Sequence, residues 1–306
     1  MSPSRPHLIF NPSAGRLLRK PSLLADTIAL LGQRYPNLVL CPTARPEHAT
    51  ELAGTAIAGG ADLILAAGGD GTVNEVLNGM AGSAVPLAIL PSGTANVLAC
   101  EVGLPHNPLR AAALMPQLEP RRIALGRITH STGAPRHFAL MAGAGLDAAI
   151  LTRVSQKIKN ATGKLAYYVA GFSLLGRPLH PLVVTVGDRR IETLFALTSR
   201  VRNYGGDLTI ASAASLLGDD FEVVTFAGRT TWRYPFYLTG ALAGKATSLP
   251  GVNSIRTRRL TLASANGSAV FTQVDGELAG SLPATIEIVP DALTLLLPPQ
   301  FLARAR

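Results

Sequence analysis

Residues Gly68-Gly69-Asp70-Gly71-Thr72 set one carboxylate among three glycines, directly after the apolar run Ala61–Ala67. Glycines let a backbone approach a ligand closely, and N–H groups exposed where a helix begins favour phosphate. Asp70 cannot bind phosphate, since both are anionic. It suits Mg²⁺, which takes carboxylate, phosphate and water oxygens together. A turn aspartate held by local hydrogen bonds would account for the residue without a ligand; the flanking glycines weigh against that. Two more strand ends carry small and polar residues, Asn11-Pro12-Ser13-Ala14-Gly15 and Pro91-Ser92-Gly93-Thr94-Ala95-Asn96. One such turn needs no ligand, but three at one edge of a sheet point to phosphate. The chain has neither G-x-x-x-x-G-K-[ST] nor a G-x-G-x-x-G after its first strand, so it would hold phosphate by another route.

The elements carrying these turns alternate. Strands are expected at His7–Asn11, Leu38–Cys41, Ala61–Ala67 and Pro86–Leu90. Helices are expected at Leu17–Leu31, Glu47–Ala58 and Asn74–Met80, and after Asn96. This order implies a mostly parallel sheet with helices on both faces, and ligands beyond the carboxyl ends of its strands. After residue 126 the pattern changes to short apolar runs between Gly, Pro and Asp turns. Among them are His137–Met141, Leu194–Ser199, Phe221–Phe226, Thr285–Val289 and Leu293–Leu297. That is the pattern of an antiparallel sandwich.

Several segments, in order, resemble the diacylglycerol kinase catalytic domain superfamily, which includes bacterial lipid kinases, sphingosine kinases and ceramide kinases. They are Asn11–Gly15, Thr43 with His48-Ala49, Gly68–Thr72, Pro91–Ala99, Ala142–Ala148 and Val274-Asp275-Gly276-Glu277. Gly68–Thr72 alone also resembles NAD kinases. The resemblance implies an α/β nucleotide-binding kinase domain over 1–125, with the tail 298–306 packing back on it. It also implies a β-rich lipid-binding domain over 126–297, with ATP and lipid meeting between the two. It implies ATP and Mg²⁺ as cofactors, with Asp70 as the metal ligand. Asn11, Gly15, Thr43, Gly68, Gly69, Asp70, Gly71, Thr72, Gly93, Thr94, Asn96 and Glu277 are the expected nucleotide-site residues, Glu277 by orienting its loop or neighbours. Thr94 and Asn96 would also suit capping of the next helix. Asp275 is the expected base toward a lipid hydroxyl. Glu75 fits equally a first-turn helix carboxylate and a site residue. Asp147, in a Gly-rich turn, is read as structural.

The chain departs from the family pattern in two places. Many bacterial members carry aspartate where this chain has Val97. Their P-D-A-x-x-D-D-G-x-L-D-V segment, which binds a structural magnesium, reads here from Ser212 to Val223, without the proline and two of the acids.

The composition bounds the alternatives. With 306 residues and 47% hydrophobic content, the chain can bury two cores. Its best apolar stretches, Leu165–Gly176 and Pro235–Gly244, fall short of the roughly 20 residues that span a bilayer. The start lacks a signal-peptide layout, and Cys41 and Cys100 offer no disulfide framework, so a cytoplasmic protein is expected. Residues 1–125 hold nine Lys/Arg and eight Asp/Glu; residues 126–306 hold nineteen and eleven. The basic second half suits an anionic surface. The expected partners are a lipid alcohol and the anionic inner face of the membrane, not nucleic acid, and a homodimer is compatible. Trp232–Tyr237, with Arg233 between aromatics, reads either as core or as a membrane contact. Three functions remain: a lipid kinase acting on diacylglycerol or a sphingoid- or ceramide-type lipid, an NAD kinase, and a non-catalytic lipid-binding protein on the same fold.

Overall fold

Apolar runs such as Leu-Ile-Leu-Ala-Ala-Gly at Leu63–Gly68 are buried along their whole length, as a parallel strand covered on both faces must be. The computed structural model describes residues 3–153, 179–205, 208–228 and 230–304. The apolar stretch Leu165–Gly176 lies outside them. The chain divides into two units, residues 1–125 with 290–306, and residues 126–289.

In the first unit, β1 (Pro6–Phe10), β2 (Val39–Pro42), β3 (Leu63–Gly68) and β4 (Pro86–Pro91) form a parallel sheet in the order β2-β1-β3-β4. Its helices are α1 (Gly15–Arg19), α2 (Ser22–Arg34), α3 (His48–Ala58), α4 (Asp70–Met80), α5 (Val97–Val102) and α6 (Pro108–Leu114). One core gathers Leu8, Phe10, Leu31, Leu63, Leu65, Leu90 and Met115. The helix expected from Asn74 begins four residues earlier, so Asp70, Gly71 and Thr72 form its first turn rather than a loop before it.

The second unit is antiparallel. Its strands are β5 (Glu119–His130), which starts in the first unit, β6 (Arg136–Phe138) and β7 (Met141–Gly145), followed by helix α7 (Leu146–Arg153). Then come β8 (Leu182–Val186), β9 (Arg189–Thr193), β10 (Phe195–Ser199), β11 (Asn203–Tyr204), β12 (Leu208–Thr209) and β13 (Phe221–Phe226). After helix α8 (Tyr234–Leu242) follow β14 (Val252–Thr257), β15 (Arg259–Ser264), β16 (Phe271–Val274), β17 (Glu277–Ser281) and β18 (Ala284–Leu297). One sheet runs β14-β13-β10-β7-β16-β17; the other contains β9, β8, β15 and the first part of β18. Phe138, Ala142, Val184, Phe221, Leu260, Val274 and Ile286 fill the core between them.

Three readings change. Gly143–Ala148 is not a turn: β7 is a buried strand within the first sheet, and Leu146 opens α7. The runs Thr285–Val289 and Leu293–Leu297 belong to one strand, β18, which continues through Pro290 and Asp291. Its residues 290–297 fall in the first unit, because Thr294 and Leu295 pair parallel with Pro86 and Leu87 of β4. The tail forms α9 (Pro299–Arg304), grouped with the first unit. Pro235–Gly244 supplies the short helix α8, and no helix among the described residues is long and apolar enough to cross a membrane.

Candidate active site

The carboxyl ends of β1, β2, β3 and β4 lie together because the four strands run parallel in adjacent register. Asn11 continues β1: its N–H donates to the Ala67 carbonyl at 3.0 Å, and its side chain accepts the Ser13 N–H at 2.8 Å. That bond turns the chain into α1. Thr43, just past β2, donates its N–H to the Phe10 carbonyl at 2.8 Å. Ser92 bridges two loops, donating its N–H to Gly68 and accepting that of Arg16.

Gly69 and Gly93 touch through their backbones. A Cβ on Gly93 would stand 2.4 Å from the Gly69 Cα, so glycine is required where the loops after β3 and β4 cross. A Cβ on Gly15 would lie 3.6 Å from the Thr94 hydroxyl, which brings the first loop to the same place. Asn96, in the left-handed region at φ 48°, spends its amide on the N–H and C=O of Gly93. It therefore braces its own loop and does not cap α5 with its side chain.

That cap comes from elsewhere. Asp70 Oδ1 accepts the Val97 N–H at 2.7 Å. The half-buried carboxylate thus joins the first turn of α4, where negative charge is favoured, to the first turn of α5. Glu75 lies in the middle of α4 rather than in its first turn, and its Oε2 accepts the Ala49 N–H at the start of α3. Arg16, which the sequence did not single out, has its Nε buried without a partner. Its position directly after the Asn11–Gly15 turn was the available signal.

Asp275 and Glu277 lie in the second unit. Asp275, at φ 47° in the turn between β16 and β17, accepts three backbone N–H bonds. Oδ1 takes those of Leu140 (3.1 Å) and Met141 (2.9 Å), and Oδ2 that of Ala139 (3.2 Å). Glu277 pairs with Arg136 at 2.6 Å. A second buried network supports the turn. Gln273 accepts the Gly276 N–H at 2.8 Å and donates to Asp147 at 2.7 Å, while the Tyr204 hydroxyl donates to the other Asp147 oxygen. Burial raises the Asp147 carboxyl above its usual value. A Cβ on Gly143 would collide with this carboxylate at 1.5 Å, which explains that glycine. Gln273 was legible only as the residue two before Asp275.

The altered acidic segment has a cation of its own. The buried Arg200 guanidinium donates to the carbonyls of Leu216 (2.6 Å) and Gly218 (3.2 Å). Burial lowers its pKa to about 10, and Asp219, Asp220 and Asp275 act the other way. Asp220 and Asp219 themselves pair with Arg256 and Arg258. No cluster of three or more His, Cys, Asp or Glu suited to a metal ion occurs among the described residues.

Residues 5–128 match the family model of the diacylglycerol kinase catalytic domain. Residues 141–297 match that of the YegS C-terminal NAD kinase beta sandwich-like domain. A diacylglycerol kinase of Mycobacterium tuberculosis is 30% identical over 276 residues, covering 89% of this chain and 88% of that protein. One from Bacillus subtilis is 29% identical over 286 residues, covering 91% of each. The solved structure of a diacylglycerol kinase from Bacillus anthracis superposes with a TM-score of 0.79 at 22% identity, covering 98% of this chain and 99% of that one. Another structure from the same organism gives 0.83 at 21% identity, covering 98% and 97%.

Proposed function

Because the chain belongs to the family of the diacylglycerol kinase catalytic domain, we propose that it is an ATP-dependent lipid kinase. It transfers the γ-phosphate of ATP to a lipid hydroxyl, with diacylglycerol the first candidate because the relatives bear that name. The observation that carries it is the cradle in the first unit, where Gly69 and Gly93 meet beside Gly15, Thr94 and Asp70.

That cradle suits a polyphosphate. Phosphoryl transfer asks a protein for positioning and charge neutralisation. Glycine at positions 69 and 93 brings two loop backbones together, and their N–H groups would face one polyphosphate. Asp70 would hold Mg²⁺, which needs only one or two protein carboxylates when phosphate and water complete its shell. Bound there, the ion would neutralise phosphate charge. Asn11, Thr43 and Asn96 shape the nucleotide site through the loops that they brace.

Asp275 is proposed to orient and deprotonate the lipid hydroxyl. Its three N–H bonds keep the carboxylate in one orientation, which a base must have. Glu277, through Arg136, steadies the same turn. The protein would work in the cytoplasm, held peripherally at the inner face of the membrane where its substrate resides.

The test is transfer of labelled γ-phosphate from Mg-ATP to diacylglycerol, ceramide and sphingosine in mixed micelles, with NAD as the competing acceptor. A phosphorylated lipid is expected. Labelled NADP in its place would overturn the reading. Asp275→Asn keeps one oxygen for the Leu140 and Met141 N–H groups. It should lower kcat by about 10²–10⁴-fold with nucleotide affinity unchanged.

A further inference from the structure

Helix α8 and the turn Thr231–Arg233 before it carry large apolar side chains on two sides. The inner side is occupied. Tyr237 is 2% exposed, stacks on Phe226 with ring centroids 4.4 Å apart, and donates its hydroxyl to the Ala227 carbonyl. Tyr234 packs edge-on against Phe195 and Phe226, and Gly240 and Ala241 are buried. The outer side is bare: Trp232 is 69% exposed, Leu242 60% and Phe236 48%. The segment Trp232–Tyr237 is thus neither all core nor all surface. Its inner aromatics anchor the helix and hold the outer ones in place. An exposed cluster of this kind marks an interaction site.

The charge around it selects the partner. The 52 residues between Glu222 and Asp275 contain six Lys/Arg and no Asp/Glu. Three of the six, Arg256, Arg258 and Arg259, pair with Asp220, Asp219 and Glu287, so that cluster is largely neutralised. Arg233 and Lys245 flank α8, and neither has a carboxylate partner among the described residues. Unpaired cations beside exposed Trp, Phe and Leu match the boundary between lipid headgroups and acyl chains, where aromatics enter and basic side chains meet phosphate.

We infer that residues Thr231–Lys245 form the docking surface for an anionic phospholipid bilayer. Trp232, Phe236 and Leu242 enter the interface, while Arg233 and Lys245 engage headgroup phosphates. This rests on the lipid-kinase reading, which supplies the need to reach a substrate dissolved in a membrane. An anchor of three apolar side chains and two cations binds weakly and reversibly, which allows the enzyme to leave after turnover.

Trp232 is the chain's only tryptophan, so fluorescence excited selectively over the tyrosines reports this surface alone. The full-length protein is mixed with vesicles of phosphatidylglycerol and phosphatidylcholine, or of phosphatidylcholine alone. The emission should start at the long wavelength of a solvated indole and shift blue with the anionic vesicles, with the shift reversed by salt. Sedimentation should show affinity falling on the order of tenfold for Trp232→Ala with Phe236→Ala. Arg233→Ala and Lys245→Ala should each cost about fivefold. Turnover on a water-soluble short-chain diacylglycerol should stay at the wild-type level in all of these variants. No shift at low salt, an equal shift with neutral vesicles, or a blue shift that grows with protein concentration without lipid would overturn the proposal; the last would mean that a second copy covers the patch. Protein that phosphorylates the short-chain lipid but ignores vesicles refutes docking and leaves the kinase reading intact. Vesicle binding without phosphorylation of any lipid does the reverse.

Discussion

Asp70 has two jobs that separate substitutions can pull apart. Its Oδ1 accepts the Val97 N–H at 2.7 Å, and its charge is the proposed metal ligand. Asp70→Ala removes both. The lost bond is charge-assisted and caps a helix, and bonds of that kind contribute about 1.5–3 kcal/mol, or about 1 kcal/mol when only the cap is counted. Loss of a carboxylate from the first turn of α4 adds about 0.3–1 kcal/mol. A destabilisation of about 2–3 kcal/mol follows for Asp70→Ala. Asp70→Asn retains an acceptor for Val97 and loses only the charge, so about 1 kcal/mol is expected. At about 2–4 °C per kcal/mol the two variants should differ in Tm by several degrees. Turnover should behave otherwise: both should fall about 10³-fold or more, because metal binding needs the carboxylate charge. Urea and thermal unfolding followed by circular dichroism give the first pair of numbers, and labelled-phosphate transfer to lipid micelles the second. Near wild-type turnover in Asp70→Asn would refute the metal assignment. Equal stability losses in the two variants would refute the cap.

Burial raises the Asp147 carboxyl above its usual 3.8, so the folded protein keeps a proton that the unfolded chain releases. That contribution to stability is complete below about pH 4 and is lost as pH rises through the raised value. Asp147→Asn can accept from Gln273 and donate to Tyr204; it should match the wild type near pH 4 and gain on it toward pH 8. Urea midpoints across that range check this, and parallel curves would refute it. Arg200→Met leaves the Leu216 and Gly218 carbonyls buried without their donor and should cost about 2–5 kcal/mol. An unchanged urea midpoint would mean that the guanidinium does not hold the 212–220 loop.

Much of the first unit is legible because its signals are local. Each strand end there carries its own turn residues, and the alternation of strands and helices is written in short runs. Other elements were hidden for identifiable reasons. The polar edge strand β14, Val-Asn-Ser-Ile-Arg-Thr, has too weak an apolar pattern to be read as a strand. β7 is Met-Ala-Gly-Ala-Gly, a sequence that looks like a turn. It is buried as a strand because β10 and β16 pair with its two edges. The aspartates show the same limit. Asp70 and Asp275 stand out by their glycine neighbours, yet their hydrogen-bond partners lie 27 and more than 130 residues away.

The sequence by itself determined the alternation of strands and helices in the first unit, the glycine-rich strand ends and the family, since these depend on neighbouring residues and on motif order. Only the tertiary structure decided that Asp70 caps α5, that Asp147 supports the Asp275 turn through Gln273, and that Arg200 serves the altered acidic segment. It alone also divided Trp232–Tyr237 into an aromatic anchor and an exposed face. A helix that is apolar all round carries no mark of which side faces the protein; that side is chosen by where Phe195 and Phe226 come to lie when the sheet forms.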